Sequence, residues 1–250
     1  EIAFILNARH GLRLAQTFGG KVSVELHTDL AHDIDATVAY GKRYYAICPE
    51  HFIVKVPLTP SGLIATRKLR ELGIPINFTL GFSARHNYLA AAFAKPSWVN
   101  VFLGRLNAYV ADNALGDGKL VGEKATLASQ AACTELSRGR AEPTRQIAAS
   151  MREGAQVAAL AGVDVFTIPT KCADDALAKL DGKFTNHTQD KLQVSLNPGV
   201  EAAAIRLGTL WDISPELRNL CQSLAAQPPQ TGAELVERAH GAGCGDLFPR

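Results

Sequence analysis

Several features that define whole classes of protein are scarce or missing in this chain of 250 residues. No apolar run reaches the roughly 18 residues of a membrane span. Aromatic residues make up only 7% of the chain, and 26 basic against 24 acidic residues leave a formal charge of +2. These values argue against stacking platforms for single strands and against a broad basic surface. We therefore expect no membrane and no nucleic-acid partner, although a compact phosphate site stays open.

The cysteines are also uninformative as ligands. They form no CxxC or CxxxH pair, so the sequence predicts neither a metal site nor a disulfide framework. Scattered thiols of this kind are typical of a reducing cytoplasm, which is the predicted location. The five are Cys48, Cys133, Cys172, Cys221 and Cys244.

Short apolar runs, rich in Val, Ile and Phe, recur between segments with helical spacing. This alternation predicts parallel βα units, in either an open doubly wound sheet or a closed barrel. The predicted strands lie in 21–26, 51–58, 74–82, 97–104, 145–151 and 163–169. The predicted helices between them lie in 30–46, 60–72, 83–94, 122–139 and 153–161.

The alternation of side chains along the strands favours the barrel. Five consecutive strands put polar residues on one face and apolar residues on the other. A doubly wound sheet buries both faces under helices, whereas a barrel accepts polar side chains near its C-terminal mouth. The polar positions are Ser23, Glu25, Lys55, Asn77, Thr79, Asn100, Ser150 and Arg152.

Two segments flank these units. Residues 1–18 have the pattern of a helix that precedes the first strand. Residues 182–250 have little strand pattern, and helices are predicted at 198–209, 215–226 and 231–241. We therefore predict a βα barrel over residues 1–181 and a C-terminal helical extension over 182–250.

Lys55 is the most informative single residue, because it lies among strong strand formers in FIVKVP. It could be a strand-end lysine that reaches water. In a barrel interior, however, desolvation would favour the neutral amine and lower its pKa. A neutral amine can attack a carbonyl and form a Schiff base. Glu25 lies one strand earlier, either as a salt-bridge partner or as a general acid/base acting through water.

The other polar residues each have a functional and a purely structural interpretation. Thr79 and Asn77 supply a hydroxyl and an amide, for catalysis or merely to satisfy interior polar groups. Arg105 lies just beyond the fourth strand, and Arg152 ends the fifth. Arginines at strand ends bind phosphate in a bidentate manner, although surface ion pairs are the alternative.

The successive motifs resemble those of the transaldolase family in order and spacing over roughly residues 1–180. They are VSVEL (22–26), VKVPLTPSGL (54–63), INFTLGFSARHN (76–87), VFLGR (101–105), SMR (150–152) and DVFTIP (164–169). The resemblance implies a class I aldolase of (β/α)8 TIM-barrel fold that needs no metal or organic cofactor.

The resemblance also implies roles for individual residues. Lys55 corresponds to the Schiff-base lysine, Glu25 to the acid/base glutamate and Thr79 to the threonine that holds the catalytic water. Asn77 corresponds to the amide near the substrate or imine. Arg105 and Arg152 correspond to the phosphate-binding arginines, with Ser150 beside them. Asn100 stands where the family usually has serine, which puts substrate preference in question.

The start of the chain departs from the family pattern. The strand-1 aspartate that shuttles protons and the Thr-Asn-Pro turn of the second strand have no match upstream of VSVEL, and residues 1–18 resemble the helix after the second strand. We therefore predict that two further barrel strands come from outside residues 1–250, most simply from an upstream stretch of the same chain. Completion by a neighbouring subunit is the alternative, and homo-oligomer formation stays open.

The leading functional prediction is transfer of a dihydroxyacetone unit between sugar phosphates through a lysine Schiff base. The alternative is a transaldolase-derived protein that binds phosphosugars or regulates without the proton-shuttling aspartate. An unrelated phosphate-binding barrel is disfavoured, because the lysine, glutamate and threonine lie on three consecutive strands.

Overall fold

The computed structural model describes residues 1–249. None of the helices in this range is long and apolar enough to cross a membrane. The strands are Val22–Glu25 (β1), Phe52–Pro57 (β2), Ile76–Thr79 (β3), Trp98–Phe102 (β4), Arg145–Ala149 (β5) and Val165–Phe166 (β6). The helices are Ile2–Phe18 (α1), Ile34–Ile47 (α2), Pro60–Glu71 (α3), Ala84–Leu89 (α4), Leu103–Asp112 (α5), Val121–Ser137 (α6), Ala155–Ala159 (α7), Thr170–Lys179 (α8), Pro215–Ala226 (α9) and Gly232–Gly241 (α10).

The architecture is parallel α/β, as the alternation of apolar runs predicts. All six predicted strands are present, each within its predicted range, and their order in the sheet equals their order along the chain. The pairs β1–β2, β2–β3 and β5–β6 are parallel. Closure into an eight-stranded barrel, the two strands from outside residues 1–250 and the boundary at residue 181 stay predictions.

The chain divides into two compact units, and the first comprises Glu1–Thr79, Leu89–Trp98 and the residues from Pro215. Here α1 lies close against the sheet, since a Cβ on Gly11 would come within 3.0 Å of side-chain atoms of Phe52 and Val24. The start of α3 is fixed by Thr59, whose hydroxyl accepts from the Gly62 N–H at 2.8 Å. Side-chain capping of this kind satisfies an amide that has no partner within the helix.

The second unit comprises Leu80–Tyr88 and Val99–Ser214. Its main core packs β4 and β5 against the helices that follow them, which is the usual burial of parallel strands. The buried members are Val101, Leu103, Ala125, Leu127, Ala148, Met151, Leu160, Val163 and Cys172.

Three local predictions need correction. The predicted helix at 198–209 is instead a series of turns followed by a short 3-10 helix, Leu207–Leu210. Left-handed backbone at Gly199 and Arg206 interrupts the segment, and Leu207 packs against Val110 and Val121. Tertiary contacts therefore override the helical propensity of its alanines. The predicted helix at 83–94 becomes π-helical over Ala90–Ala94. Helix α5 was not predicted.

Candidate functional site

The first half of the candidate site lies on β1, β2 and β3. Parallel pairing places Glu25 opposite Lys55, and Lys55 opposite Asn77. Paired residues on adjacent strands point to the same face of a sheet, and so do residues two apart on one strand. The three side chains therefore form a row, and Thr79 projects from the same face two residues beyond Asn77.

Lys55 and Glu25 are in direct contact. The Lys55 Nζ lies 3.2 Å from Glu25 Oε2, so it can donate a hydrogen bond to this carboxylate. The Lys55 side chain is 25% exposed and that of Glu25 is 58% exposed. Within residues 1–249 the Lys55 side chain is therefore only partly buried, and the full desolvation expected for it is not observed. The distance is nevertheless within reach of proton transfer.

Asn77 is held by a contact across the same face. Its Nδ2 donates to Ser23 Oγ at 3.0 Å, and the residue is 9% exposed. The alternation along β1 places Ser23 on this face, but only the register shows that it meets Asn77. Ser23 is thus a site residue for which the sequence indicated the face and not the contact.

Thr79 is the least accessible residue of the row. It is 1% exposed, and its hydroxyl has no hydrogen-bond partner within residues 1–249. Burial of a hydroxyl without a partner costs free energy, so such groups in folded proteins are uncommon and call for a reason. A hydroxyl held ready for a ligand is one such reason.

A groove lined by aromatic residues lies beside Glu25 in this first unit. It runs between α1, the end of β1 and α2, and its walls include Phe4, Tyr40 and Tyr44. Burial raises the pKa of the Tyr44 phenol, while a hydrogen bond from Asn7 acts in the opposite direction. The sequence analysis assigned these residues no role, since apolar and aromatic positions at helical spacing are also typical of ordinary core packing.

A second group of candidate site residues lies in the second unit. Arg105 is in the first turn of α5, where Phe102 provides no side-chain cap, and its guanidinium lies 5.1 Å from the centroid of the Phe102 ring. Helix first turns have unpaired N–H groups and a partial positive charge, which attract anions. Arg105 therefore adds a full positive charge to a site that already favours a negative ligand.

Arg152 belongs to a turn and not, as expected, to the end of the fifth strand. Strand β5 ends at Ala149, and Ser150 has left-handed backbone with φ 65°, which breaks the alternation of the strand. The turn lies against the start of α5, because a Cβ on Gly104 would overlap the Ser150 carbonyl and lie 2.9 Å from Arg152 Cγ. Both Arg105 and Arg152 are exposed.

Asn100 lies inside the second unit. It is 3% exposed, and its carbonyl oxygen accepts from Asn87 Nδ2 at 3.0 Å. Asn87 also donates to Ser129 Oγ at 2.8 Å. This buried network ties α4 to β4 and α6, and so fixes the backbone of the strand on which Asn100 lies.

Comparison with known proteins identifies the family of the chain. The family model described as Transaldolase/Fructose-6-phosphate aldolase matches residues 1–207. The chain belongs to this family. Proteins named transaldolase from Xanthomonas euvesicatoria pv. vesicatoria and Xanthomonas oryzae pv. oryzae are both 32% identical to it, over 189 and 206 residues. A probable transaldolase of Thermus thermophilus is 38% identical over 164 residues.

The coverage of these family members is partial. The matches take in 73%, 80% and 65% of this chain, and 57%, 60% and 66% of the respective relatives. The chain thus spans less than two thirds of the length of each of these transaldolase relatives. The residues of the candidate site, from Ser23 to Arg152, all lie within the part matched by the family model.

Proposed function

We propose that the protein transfers a dihydroxyacetone unit between sugar phosphates through a Schiff base on Lys55. The observation that carries the proposal is the 3.2 Å contact between Lys55 and Glu25, in a row of paired positions that continues to Asn77. Family membership supports the same reaction class. An amine, an acid/base group and an amide on one sheet face are what imine chemistry requires.

Lys55, Glu25 and Thr79 each have a step in this mechanism. The Lys55 amine attacks the ketose carbonyl, and the resulting carbinolamine loses water to give an iminium. Glu25 exchanges the protons of this dehydration through a water molecule that the Thr79 hydroxyl holds. The iminium accepts the electron pair of the breaking carbon–carbon bond while the adjacent hydroxyl gives its proton to water, so an aldose phosphate leaves and an enamine stays on Lys55. The enamine then adds to an acceptor aldehyde, whose oxygen takes a proton from water, and hydrolysis of the new imine frees the lysine.

We further propose that Arg105 and Arg152 bind the substrate phosphate, with Ser150 beside them and Asn100 toward the sugar hydroxyls. Both arginines are exposed at the start of α5 and in the turn after β5. Neither guanidinium has an ion-pair partner in the described part of the chain. Their charge is therefore available to a dianion, which guanidinium groups bind through paired hydrogen bonds.

Borohydride trapping tests the proposal directly. Reduction in the presence of fructose 6-phosphate should attach one dihydroxyacetone unit to the peptide that contains Lys55, as read by intact mass and peptide mapping. Lys55→Met should abolish the label. Lys68→Met is the matched control, because Lys68 also pairs with a carboxylate, at 3.7 Å from Asp35, and its removal should leave labelling intact.

The outcomes separate the candidate functions. A label on another lysine, or equal labelling of Lys55→Met, would contradict the mechanism. Imine formation without release of glyceraldehyde 3-phosphate would instead identify a protein that binds phosphosugars without turning them over, and would also contradict the proposed transfer.

A further inference from the structure

A chain of buried amide and carboxylate groups runs through the second unit from α5 to the turn that bears Arg152. It begins at the start of α6, where the N-cap residue Leu120 has left-handed backbone and provides no side-chain cap. Asn107 of α5 replaces the missing cap, because its Oδ1 accepts from the Gly122 N–H at 2.8 Å. The Nδ2 of the same amide donates to the carboxylate of Glu123 at 2.9 and 3.2 Å.

Glu123 is also hydrogen-bonded to Gln156. The glutamate is 4% exposed, and its Oε1 accepts from Gln156 Nε2 at 2.6 Å. Gln156 is 6% exposed, and its Oε1 accepts from the Arg152 N–H at 2.7 Å. The side chain of Gln156 therefore links the buried carboxylate to the backbone of the Arg152 turn.

The Glu123 carboxylate determines how the two amide side chains are oriented. An ionised carboxylate only accepts hydrogen bonds, whereas an amide both donates and accepts. Glu123 therefore requires the NH₂ groups of Asn107 and Gln156 to face it. Their oxygens then point outward, one to the Gly122 N–H and the other to the Arg152 N–H. Hydrogen bonds with a charged partner are also stronger than neutral ones, so this orientation is firmly held.

The two ends of the chain lie on the elements that carry the two arginines. Asn107 is on α5, which begins with Arg105 in its first turn, and the other end holds the turn of Arg152. That turn starts from the left-handed backbone of Ser150, a conformation that needs support from its surroundings. The position of one arginine relative to the other thus depends on the buried carboxylate.

We propose that Glu123 is a positioning residue for phosphate recognition, acting through Gln156 on the Arg152 turn. This inference rests on the proposed function, and specifically on the phosphate role of the two arginines. Glu123 touches no substrate in it. Its action is to orient an amide that orients a backbone N–H.

Single substitutions that change which groups donate and which accept along these hydrogen bonds test the proposal. In Glu123→Gln the new NH₂ group faces either Asn107 or Gln156, so one of these amides must turn. When Gln156 turns, its NH₂ group meets the Arg152 N–H, and two donors then face each other. When Asn107 turns instead, its NH₂ group meets the Gly122 N–H in the same way. In Gln156→Glu two carboxylates meet, which like-charge repulsion disfavours. Each variant should therefore release one end of the chain and change the position of one arginine relative to the other.

The double variant Glu123→Gln with Gln156→Glu restores a hydrogen bond at each link, from Asn107 through positions 123 and 156 to the Arg152 N–H. The amide introduced at position 123 would accept from Asn107 and donate to the carboxylate introduced at position 156, which would accept from the Arg152 N–H. We expect affinity for inorganic phosphate, measured by calorimetry, to fall about tenfold in Glu123→Gln and to recover in the double variant. KM for fructose 6-phosphate should follow the same pattern, while kcat and KM for unphosphorylated fructose change little.

Glu135→Gln is the matched control, since Glu135 is an exposed glutamate on the same helix, and it should bind phosphate as the wild type does. Unchanged phosphate affinity in Glu123→Gln, or a folded double variant that does not recover, would overturn the inference. Thermal unfolding of each variant shows whether it is folded. A wild type that does not bind phosphate would overturn the role of the arginines and this inference together, whereas borohydride labelling of Lys55 reports on the Schiff base independently.

Discussion

Thr79→Val should lower activity without destabilising the protein. The Thr79 hydroxyl is buried, at 1% exposure of the residue, and has no hydrogen-bond partner in residues 1–249. Valine has nearly the same shape and an equally strong preference for strands, so the substitution removes the hydroxyl and little else. Its consequences therefore report on whether that hydroxyl serves the fold or a ligand.

The size of the effect follows from the burial. A buried hydroxyl without a partner costs about 1–3 kcal/mol relative to an apolar group in the same place. The free energy of unfolding should thus rise by roughly 1–2 kcal/mol, or about 2–8 °C in Tm for a protein of this size, if the hydroxyl has no partner, and should stay near the wild-type value if the hydroxyl holds a water. If the hydroxyl holds the water through which Glu25 exchanges protons, kcat should fall by about 100-fold.

Two other threonines provide matched controls. Thr66 in α3 is also fully buried, with a hydroxyl that has no partner in the described chain, so Thr66→Val should raise Tm without changing kcat. The Thr126 hydroxyl donates to the Gly122 carbonyl at 2.7 Å, so Thr126→Val should lower stability by about 1 kcal/mol.

The assay pairs calorimetric unfolding with release of the aldose phosphate from fructose 6-phosphate. A Thr79→Val protein that is less stable than the wild type would show that the hydroxyl contributes to the fold. Full activity in that variant would refute its role in holding water. Either result would contradict the reasoning, and the Thr66 control shows whether the stability estimate itself holds.

Two further predictions concern the arginines and the thiols. Arg105→Ala and Arg152→Ala should each weaken binding of phosphorylated sugars by about 1.5–3 kcal/mol, as expected for hydrogen bonds between charged groups, whereas unphosphorylated ketoses and the exposed control Arg138→Ala should show little change. Equal losses for both kinds of ketose would point to a folding defect instead. Because burial raises the pKa of the Cys133 thiol to about 12, and all five thiols are buried and outside any disulfide, the native protein should react far more slowly with a thiol reagent at pH 8 than the protein in denaturant. Rapid native labelling of Cys133 would contradict this burial.

The sequence predicts the sheet well because the signal lies in neighbouring residues. Alternation with period two in VSVE, FIVKVP and INFT depends only on local chain geometry. It is therefore sufficient to place Glu25, Lys55 and Asn77 on one face. The caps are equally local, and Thr59 followed by Pro60 predicts the start of α3, as observed.

What the sequence does not contain is the register between strands. The local sequence does not determine that Glu25 pairs with Lys55 and not with another residue of β2, because register depends on the packing of entire faces. The turn after β5 is a second case. The run AASM continues the strand pattern, and only the left-handed backbone at Ser150 ends it.

The third case is the network around Glu123, which combines residues from three helices. Glu123 is 16 residues from Asn107 and 33 from Gln156. A glutamate in the first turn of a helix ordinarily indicates a favourable interaction with the helix dipole. Its burial against two amides results from tertiary structure, and no spacing in the sequence indicates it.

The two halves of the candidate site are thus held by different means. Glu25, Lys55 and Asn77 occupy paired positions of parallel strands, so backbone hydrogen bonds fix their spacing, and substitution of a neighbouring side chain leaves the ladder in place. Arg105 and Arg152 lie on a helix start and in a turn, whose geometry depends on the side chains of Asn107, Glu123 and Gln156. Substitutions around Lys55 should therefore change the rate of imine chemistry and leave the positions of the paired strand residues unchanged. Substitutions around the arginines should instead change the geometry of phosphate binding and leave the imine chemistry unchanged.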